Sequence, residues 1–146
     1  MSDSIKIKST KVLTGLMLVP FHANMTHLAN WVVTRLSEVV FTSSYRPQKI
    51  HAKASGIAAT NPCRHLDIRS SIYGDPEGIV KDINGHWTYD PQRSRLKCAL
   101  YHARCPKCKQ DHKRIFKQYC KKCGTDITYH WHIHLQVHNN TEYLGG

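Results

Sequence analysis

The stretch His130-Trp131-His132-Ile133-His134-Leu135-Gln136-Val137-His138 decides the fold. Its imidazoles at 130, 132, 134 and 138 share one parity, and Trp131, Ile133, Leu135 and Val137 share the other. Side chains alternate between the faces of a strand, so the spacing predicts a strand with one apolar and one imidazole face. A core uses only the apolar face. Imidazole is the commonest metal-ligating side chain and titrates near neutral pH, so the second face points to function.

Just upstream lie two Cys-x-x-Cys knuckles, Cys105-Pro106-Lys107-Cys108 and Cys120-Lys121-Lys122-Cys123-Gly124, with residues 109–119 between them. A tetrahedral zinc takes four soft ligands, and each knuckle offers two thiolates from one tight turn. The surrounding lysines favour the thiolate form. The spacing predicts a structural zinc ribbon over 103–125, and such a site is closed, so this zinc holds structure and does no chemistry. It also implies synthesis in a reducing, cytoplasmic compartment. A disulfide framework fits two Lys-rich knuckles less well. Cys63 and Cys98 read as small core residues.

The other elements follow from periodicity. Residues 2–11 are polar, an irregular or edge segment. Met25, Leu28, Ala29, Val32 and Leu36 form one stripe of a helix running from Asn24 or Thr26 to about Ser37. Glu38 to Ser43 reads as a short buried strand, Lys49 to Pro62 as a loop, and Arg64 to Arg69 as a second strand. A second helix has Asp75 as cap, Pro76 at its first position and Gly85 at its end. His86 to Pro91 reads as a turn-rich connection and Leu96 to His102 as a third strand. The expected fold is α+β: a small, mostly antiparallel sheet with two helices on one face, and the ribbon inserted before the last core strand. Trp31, Trp87 and Trp131 are expected in the core, and His22 and His27 in solvent. His102 belongs either to the groove face or to the ribbon base.

The chain has 146 residues, which fits one domain over 1–146, and 40% are hydrophobic, which argues against wholesale disorder. The formal charge of +11 favours an anionic partner, nucleic acid or a cell-wall polymer, over a basic surface kept for solubility. Much of it falls in the ribbon, at Lys107, Lys109, Lys113, Arg114, Lys117, Lys121 and Lys122, candidates for polyanion contact. Phe116 and Tyr119 there are expected to pack and not to stack on bases. No apolar run reaches the ~18–20 residues of a membrane span. Lys6, Lys8 and Lys11 precede an apolar stretch, Val12 to Phe21, but Pro20 interrupts it and no small-x-small cleavage site follows, so no export signal is expected.

Three segments carry a resemblance. Thr42-Ser43-Ser44-Tyr45-Arg46, Arg64-His65-Leu66-Asp67-Ile68-Arg69 and His132-Ile133-His134-Leu135-Gln136-Val137 resemble, in order and spacing, motifs of the D-Ala-D-Ala carboxypeptidase and hedgehog-type zinc peptidase superfamily. That group includes phage endolysins that cut peptidoglycan stem peptides. The stretch from Asn84 through Trp87 and Tyr89-Asp90-Pro91 to Tyr101-His102 looks like a phage and bacterial branch. The resemblance implies Asp67 and His134 as ligands of a second, catalytic zinc, His132 as a site imidazole, and Arg46 as the group that holds a substrate carboxylate or carbonyl. It implies peptidoglycan or a short peptide as substrate, with action on the wall after release from the cell.

The departures are specific. Ser55-Gly56-Ile57-Ala58 aligns with the family's Ser-Gly-Val-His, so Ala58 stands where a zinc-ligating His is expected. Three readings stay open: a substituted form of an active enzyme, a natural chain in which His51 or His65 serves instead, or a pseudoenzyme that uses its groove for binding. The family's general-base carboxylate has no clear counterpart. Asp126 shares the parity of His134 and is the candidate if the strand begins that early. Two functions follow: a zinc peptidase of the peptidoglycan-cutting kind, or an inactive peptidase-like binding module whose basic ribbon contacts nucleic acid or a protein.

Overall fold

A computed structural model describes residues 4–8, 10, 13, 21–43 and 63–145. The expected loop over 49–62 and the candidates Arg46, His51 and Ala58 lie outside them. The elements are β1 (Ser4–Ile7), α1 (Ala23–Arg35), β2 (Glu38–Ser43), β3 (His65–Arg69), α2 (Pro76–His86), β4 (Trp87–Thr88), β5 (Ala99–Arg104), β6 (Asp111–Lys113), a 3-10 turn (Thr128–His130), β7 (His132–Gln136) and β8 (Glu142–Tyr143). The main sheet runs β1-β2-β3-β7-β5-β6. Its first pair is parallel and the others are antiparallel. This is the α+β architecture expected, with the cysteine-rich insertion preceding β7.

Alternation explains why the sheet folds this way. Leu66 and Ile68 on β3 lie opposite Leu135 and Ile133 on β7, which lie opposite Ala99 and Tyr101 on β5. All are buried, and they meet Met25, Leu28 and Val32 of α1 and Ile83 of α2. Each fully buried aliphatic side chain in this layer contributes roughly 1.5–3 kcal/mol. Cys63 and Cys98 are buried free thiols, and Cys98 belongs to this core.

The helix ends follow their local chemistry. The Asp75 carboxylate accepts from the Gly78 N–H at 3.0 Å. A Cβ at Gly78 would overlap that carboxylate, so a larger residue there would make the Asp75 side chain shift. α2 does not stop at Gly85. It continues through His86, and the Trp87 N–H closes the last turn on the Ile83 carbonyl. His22, expected in solvent, is half-buried and caps α1: its Nδ1 accepts from the Asn24 N–H at 3.1 Å. The Arg35 guanidinium grips Asp82 through two bonds of 2.9 and 3.0 Å, tying the end of α1 to α2.

Three boundaries differ from the sequence reading. The imidazole strand is shorter than 130–138. His130 belongs to the 3-10 turn, and His138 lies beyond the strand, its ring 5.6 Å from that of Tyr89. Of these four imidazoles, only His132 and His134 therefore lie on the strand. The third strand begins at Ala99 and runs past His102 to Arg104. The stretch after α2 is not only turn: Trp87 and Thr88 pair with Tyr143 and Glu142. Two-residue strands carry no periodicity to detect. Among the described residues, no helix is long and apolar enough to cross a membrane.

Candidate metal centres and basic groove

The ribbon is built from two similar knuckles. The N–H of Lys109 bonds the Cys105 carbonyl at 3.0 Å, and that of Gly124 bonds the Cys120 carbonyl at 2.9 Å. The Cys105 N–H then bonds the Gln110 carbonyl and the Cys120 N–H the Thr125 carbonyl, at 2.9 and 2.7 Å. Each turn closes through a residue in the left-handed region, Lys109 at φ 67° and Gly124 at φ 77°. Both turns point their sulfurs at one centre: all four Sγ atoms lie within 4.8 Å of one another. The Cys105–Cys123 and Cys108–Cys120 separations are 3.5 Å. Tetrahedral zinc with bonds near 2.3 Å needs sulfurs roughly 3.8 Å apart, so the donor set fits this metal.

Electrostatics agrees. Hydrogen bonds from Thr125 draw the Cys123 thiol down to about 6. The Cys108 backbone N–H lowers Cys105. At Cys108 the Gln110 backbone N–H also lowers the thiol, but burial and the three neighbouring sulfurs outweigh it and push it up to about 11. A cation at the centre lets all four lose their protons. The buried His112 places Nε2 3.4 Å from Cys120 Sγ, where it can donate to a thiolate. Sequence reasoning missed this histidine, although the alternation of Asp111, His112 and Lys113 marks it as the inward residue of a strand. The ribbon is joined to the main core: Cys105, Cys120 and Ile127 belong to it, and Trp131 Nε1 donates to the Lys117 carbonyl at 2.9 Å.

On the imidazole face of the sheet, strand register assembles a second group. Asp67 lies directly opposite His134, and Arg69 opposite His132. On the other side of β7, His102 lies opposite His132 and Leu100 opposite His134. The Asp67 Oδ1 accepts from His134 Nδ1 at 2.7 Å, and Asp67 Oδ2 is 3.9 Å from His132 Nε2. His132 Nδ1 donates to the His130 carbonyl at 3.1 Å. Both rings therefore carry a proton on Nδ1. The His102 ring is 4.3 Å from that of His132 and 5.9 Å from that of His134, centroid to centroid. Burial first, then the two neighbouring imidazoles, pushes the His102 pKa down to about 3, so this ring is neutral. Its Nε2 is buried without a hydrogen-bond partner among the described residues. An unpaired buried nitrogen costs about 1–3 kcal/mol, and such an atom calls for a water, an ion or a function.

The other candidates are placed as follows. His65 is buried on the same face, its ring stacked 6.0 Å from that of His134. Asp126 is exposed, bridges to Tyr119, and accepts from the Thr128 N–H and hydroxyl at 2.9 and 2.6 Å. The 3-10 turn separates it from β7, so strand alternation does not carry from Asp126 to His134. His102, left open between groove and ribbon base, lines the groove.

The groove over this face encloses about 800 Å³, and Asp67, His102, His132 and His134 line it. Arg95, Lys97, Arg104, Lys113 and Arg114 also face it. A second hollow of about 480 Å³ shares Asp67, Arg104 and His132 with the first and adds Lys8 and Arg69. Lys113 and Arg114 thus belong to both the ribbon and the groove wall. The seven ribbon cations, Lys107 to Lys122, are all exposed. Phe116 leans on Trp131 at 5.7 Å, as expected of a packing residue, whereas Tyr119 is 56% exposed. Arg69 and Arg104 were missed from the sequence; their parity with Asp67 and His102 was the available signal.

Compared with protein-family models, curated proteins and solved structures, the chain gives no match. What the fold and the site define is a small α+β protein with an inserted four-cysteine metal-binding cluster, next to a groove lined with imidazole and cations.

Proposed function

We propose that this chain is a binding module that docks on a polyanion, nucleic acid being the class that fits best, through a basic surface held by the zinc ribbon. The observation that carries it is the exposure of all seven ribbon cations beside a preformed four-thiolate cluster. Two of them, Lys113 and Arg114, continue that positive surface onto the groove wall. Lys and Arg release condensed counterions when they meet phosphates, so such a surface binds without needing sequence readout. Exposed Tyr119 adds an aromatic face on which a base can stack. The module is one domain over 1–146 with the ribbon over 103–125, made in a reducing compartment where its thiols hold zinc. The test is a titration of single- and double-stranded DNA at rising salt. Log affinity should fall linearly with log salt, and the slope should shrink by about 0.7–0.9 for each ribbon cation replaced. Binding that is absent, or indifferent to salt, sinks the proposal.

A second reading has one specific observation in its favour. Asp67, His132 and His134, which the family resemblance places in a catalytic site, meet on the groove floor. In that reading the chain is a zinc peptidase of the peptidoglycan-cutting type, with Arg46 holding the substrate's acidic end. Zinc bound there would polarise a scissile carbonyl and acidify its water. The cationic groove wall would hold the carboxylates of a stem peptide. Chelator-sensitive release of peptide fragments from purified peptidoglycan supports this reading, and its absence from zinc-saturated protein removes it.

A further inference from the structure

We propose that the smaller hollow is a subsite for an unpaired nucleotide: the Tyr129 ring stacks on the base, and Lys8, Arg69 and Arg104 hold the adjoining phosphates. The module then prefers single-stranded nucleic acid to duplex. The inference rests on the polyanion reading and deepens it, because it names the class of nucleic acid and a second contact region besides the seven ribbon cations.

Three observations carry the inference. First, an aromatic face and positive charge share one hollow. Tyr129 is 89% exposed, more than any other large apolar side chain among the described residues. A single exposed aromatic is ordinary on a protein surface, so its surroundings decide. Tyr129 lines the hollow of about 480 Å³ together with Lys8, Arg69 and Arg104. Among the described residues none of these three cations is held in an ion pair. The one carboxylate lining the hollow, Asp67, accepts from His134 at 2.7 Å and lies 3.9 Å from His132 Nε2. A bare ring beside cations is what binding of a single strand uses, because every base has a face to stack and every nucleotide a phosphate. A duplex offers Tyr129 no such face, since its bases are already stacked on both sides.

Second, the ring stands on a fixed support. Tyr129 is the middle residue of the 3-10 turn Thr128–His130. The Asp126 carboxylate accepts from the Thr128 N–H and hydroxyl at 2.9 and 2.6 Å, and the His130 N–H closes on the Ile127 carbonyl at 2.9 Å. Ile127 and Trp131, on either side of the turn, are buried in the core. A platform already ordered loses little freedom on binding. Third, register joins the hollow to the ribbon. Arg69, His132, His102 and Lys113 form one row across β3, β7, β5 and β6. With strands about 4.8 Å apart, the row is about 14 Å long. Lys113 at one end belongs to the ribbon and the groove wall, and Arg69 at the other lines the hollow. A strand with one phosphate per ~3.4 Å bridges the row with roughly four nucleotides. Glu77 and Asp111 also line the larger groove, but its cations outnumber its acids.

The test titrates the full, zinc-loaded chain against three fluorescent probes of about 12 nucleotides: oligothymidine, its duplex with oligoadenosine, and an abasic strand with the same phosphates. Wild type should bind oligothymidine more tightly than either of the others. Tyr129→Ala should weaken oligothymidine binding about 5–150-fold and leave the salt slope and the abasic affinity unchanged. Tyr129→Phe and Tyr129→Trp should keep wild-type affinity. Arg69→Ala and Arg104→Ala should instead each shrink the salt slope by about 0.7. Because Tyr129 is exposed, its replacement should leave the far-ultraviolet circular dichroism unchanged. A Tyr129→Ala protein that binds oligothymidine as wild type does, or that loses affinity for all three probes equally, overturns the proposal. So does a preference of wild type for the duplex, or binding to purified peptidoglycan through Arg69 and Arg104 with no binding to oligothymidine. The ribbon reading fails separately. If replacing the ribbon cations leaves the salt slope unchanged while Tyr129→Ala still weakens binding, the subsite stands and the ribbon surface falls. The reverse result keeps the ribbon surface and strikes the subsite.

Discussion

Asp67 and His134, 67 residues apart in the chain, are joined by a 2.7 Å hydrogen bond from the His134 Nδ1 to the Asp67 carboxylate. Their contact follows from register, because the two residues are directly opposed across β3 and β7. Both are largely shielded from solvent. Replacing Asp67 with Ala should therefore cost about 1.5–3 kcal/mol of unfolding free energy, the usual worth of a hydrogen bond to a charged group. It should also leave the His134 ring as a mixture of tautomers, which nitrogen NMR of the imidazole reads directly. A single unchanged tautomer would show that the carboxylate does not set the proton.

The two knuckles make the same left-handed demand and meet it with different residues. Lys109 at φ 67° carries a side chain through a conformation that disfavours one by roughly 1–2 kcal/mol, and Gly124 at φ 77° does not. Lys109→Gly should raise the melting temperature, despite loss of the Nζ bond to the Pro106 carbonyl. Gly124→Ala should lower it, although a Cβ there meets nothing within 4 Å. Calorimetry of the pair separates backbone strain from side-chain contact.

Metal removal should act unevenly across the molecule. The knuckle N–H groups of Lys109 and Gly124 are held only by turns that the four sulfurs clamp. Ile133 and Leu135 sit fully buried in the centre of the sheet. Chelation, or Cys120→Ser, should expose the first pair to hydrogen exchange and leave the second protected. Equal loss of protection at both would mean that ribbon and sheet unfold as one unit.

Acid should reach the molecule through Asp90. Its carboxylate accepts from Arg93 Nε at 2.7 Å and from the Gln92 N–H at 3.0 Å. The Arg93 contact, then the Gln92 bond, holds its pKa below the ordinary value of 3.8. A carboxylate with a depressed native pKa stabilises the fold above its unfolded value, and that stability is lost as pH falls through the native one. Arg93→Ala should be less stable than wild type above pH 3.8, with the gap closing below it. Urea unfolding across that window measures the gap, and a constant gap would assign the effect to packing over the Tyr89 ring instead.

Much of the framework was legible because it rests on short-range rules. The four cysteines announced their knuckles by spacing alone, since a tight turn and two thiolates are local requirements. Asp75 and Pro76 opened α2 as their backbone chemistry demands, and β2 spans the residues that its apolar run marks. The same reasoning overran at the closing strand. Parity grouped His130 and His138 with His132 and His134, but parity has meaning only while the chain stays extended, and the turn at Thr128–His130 ends that extension. The alignment of Asp126 with His134 failed for the same reason.

The sequence by itself determined the alternation of β3 and β7, the four-thiolate cluster and the excess of positive charge. These depend on residue type and on neighbours a few positions away. Only the tertiary structure decided that His102 sits against His132, that Asp67 holds the proton of His134, and that Lys113 and Arg114 line the wall of the imidazole groove. Each of those contacts depends on which strand lies beside which and in what register. Register is set by burial of one whole sheet face against two helices, a sum over the entire core that no local stretch of sequence contains.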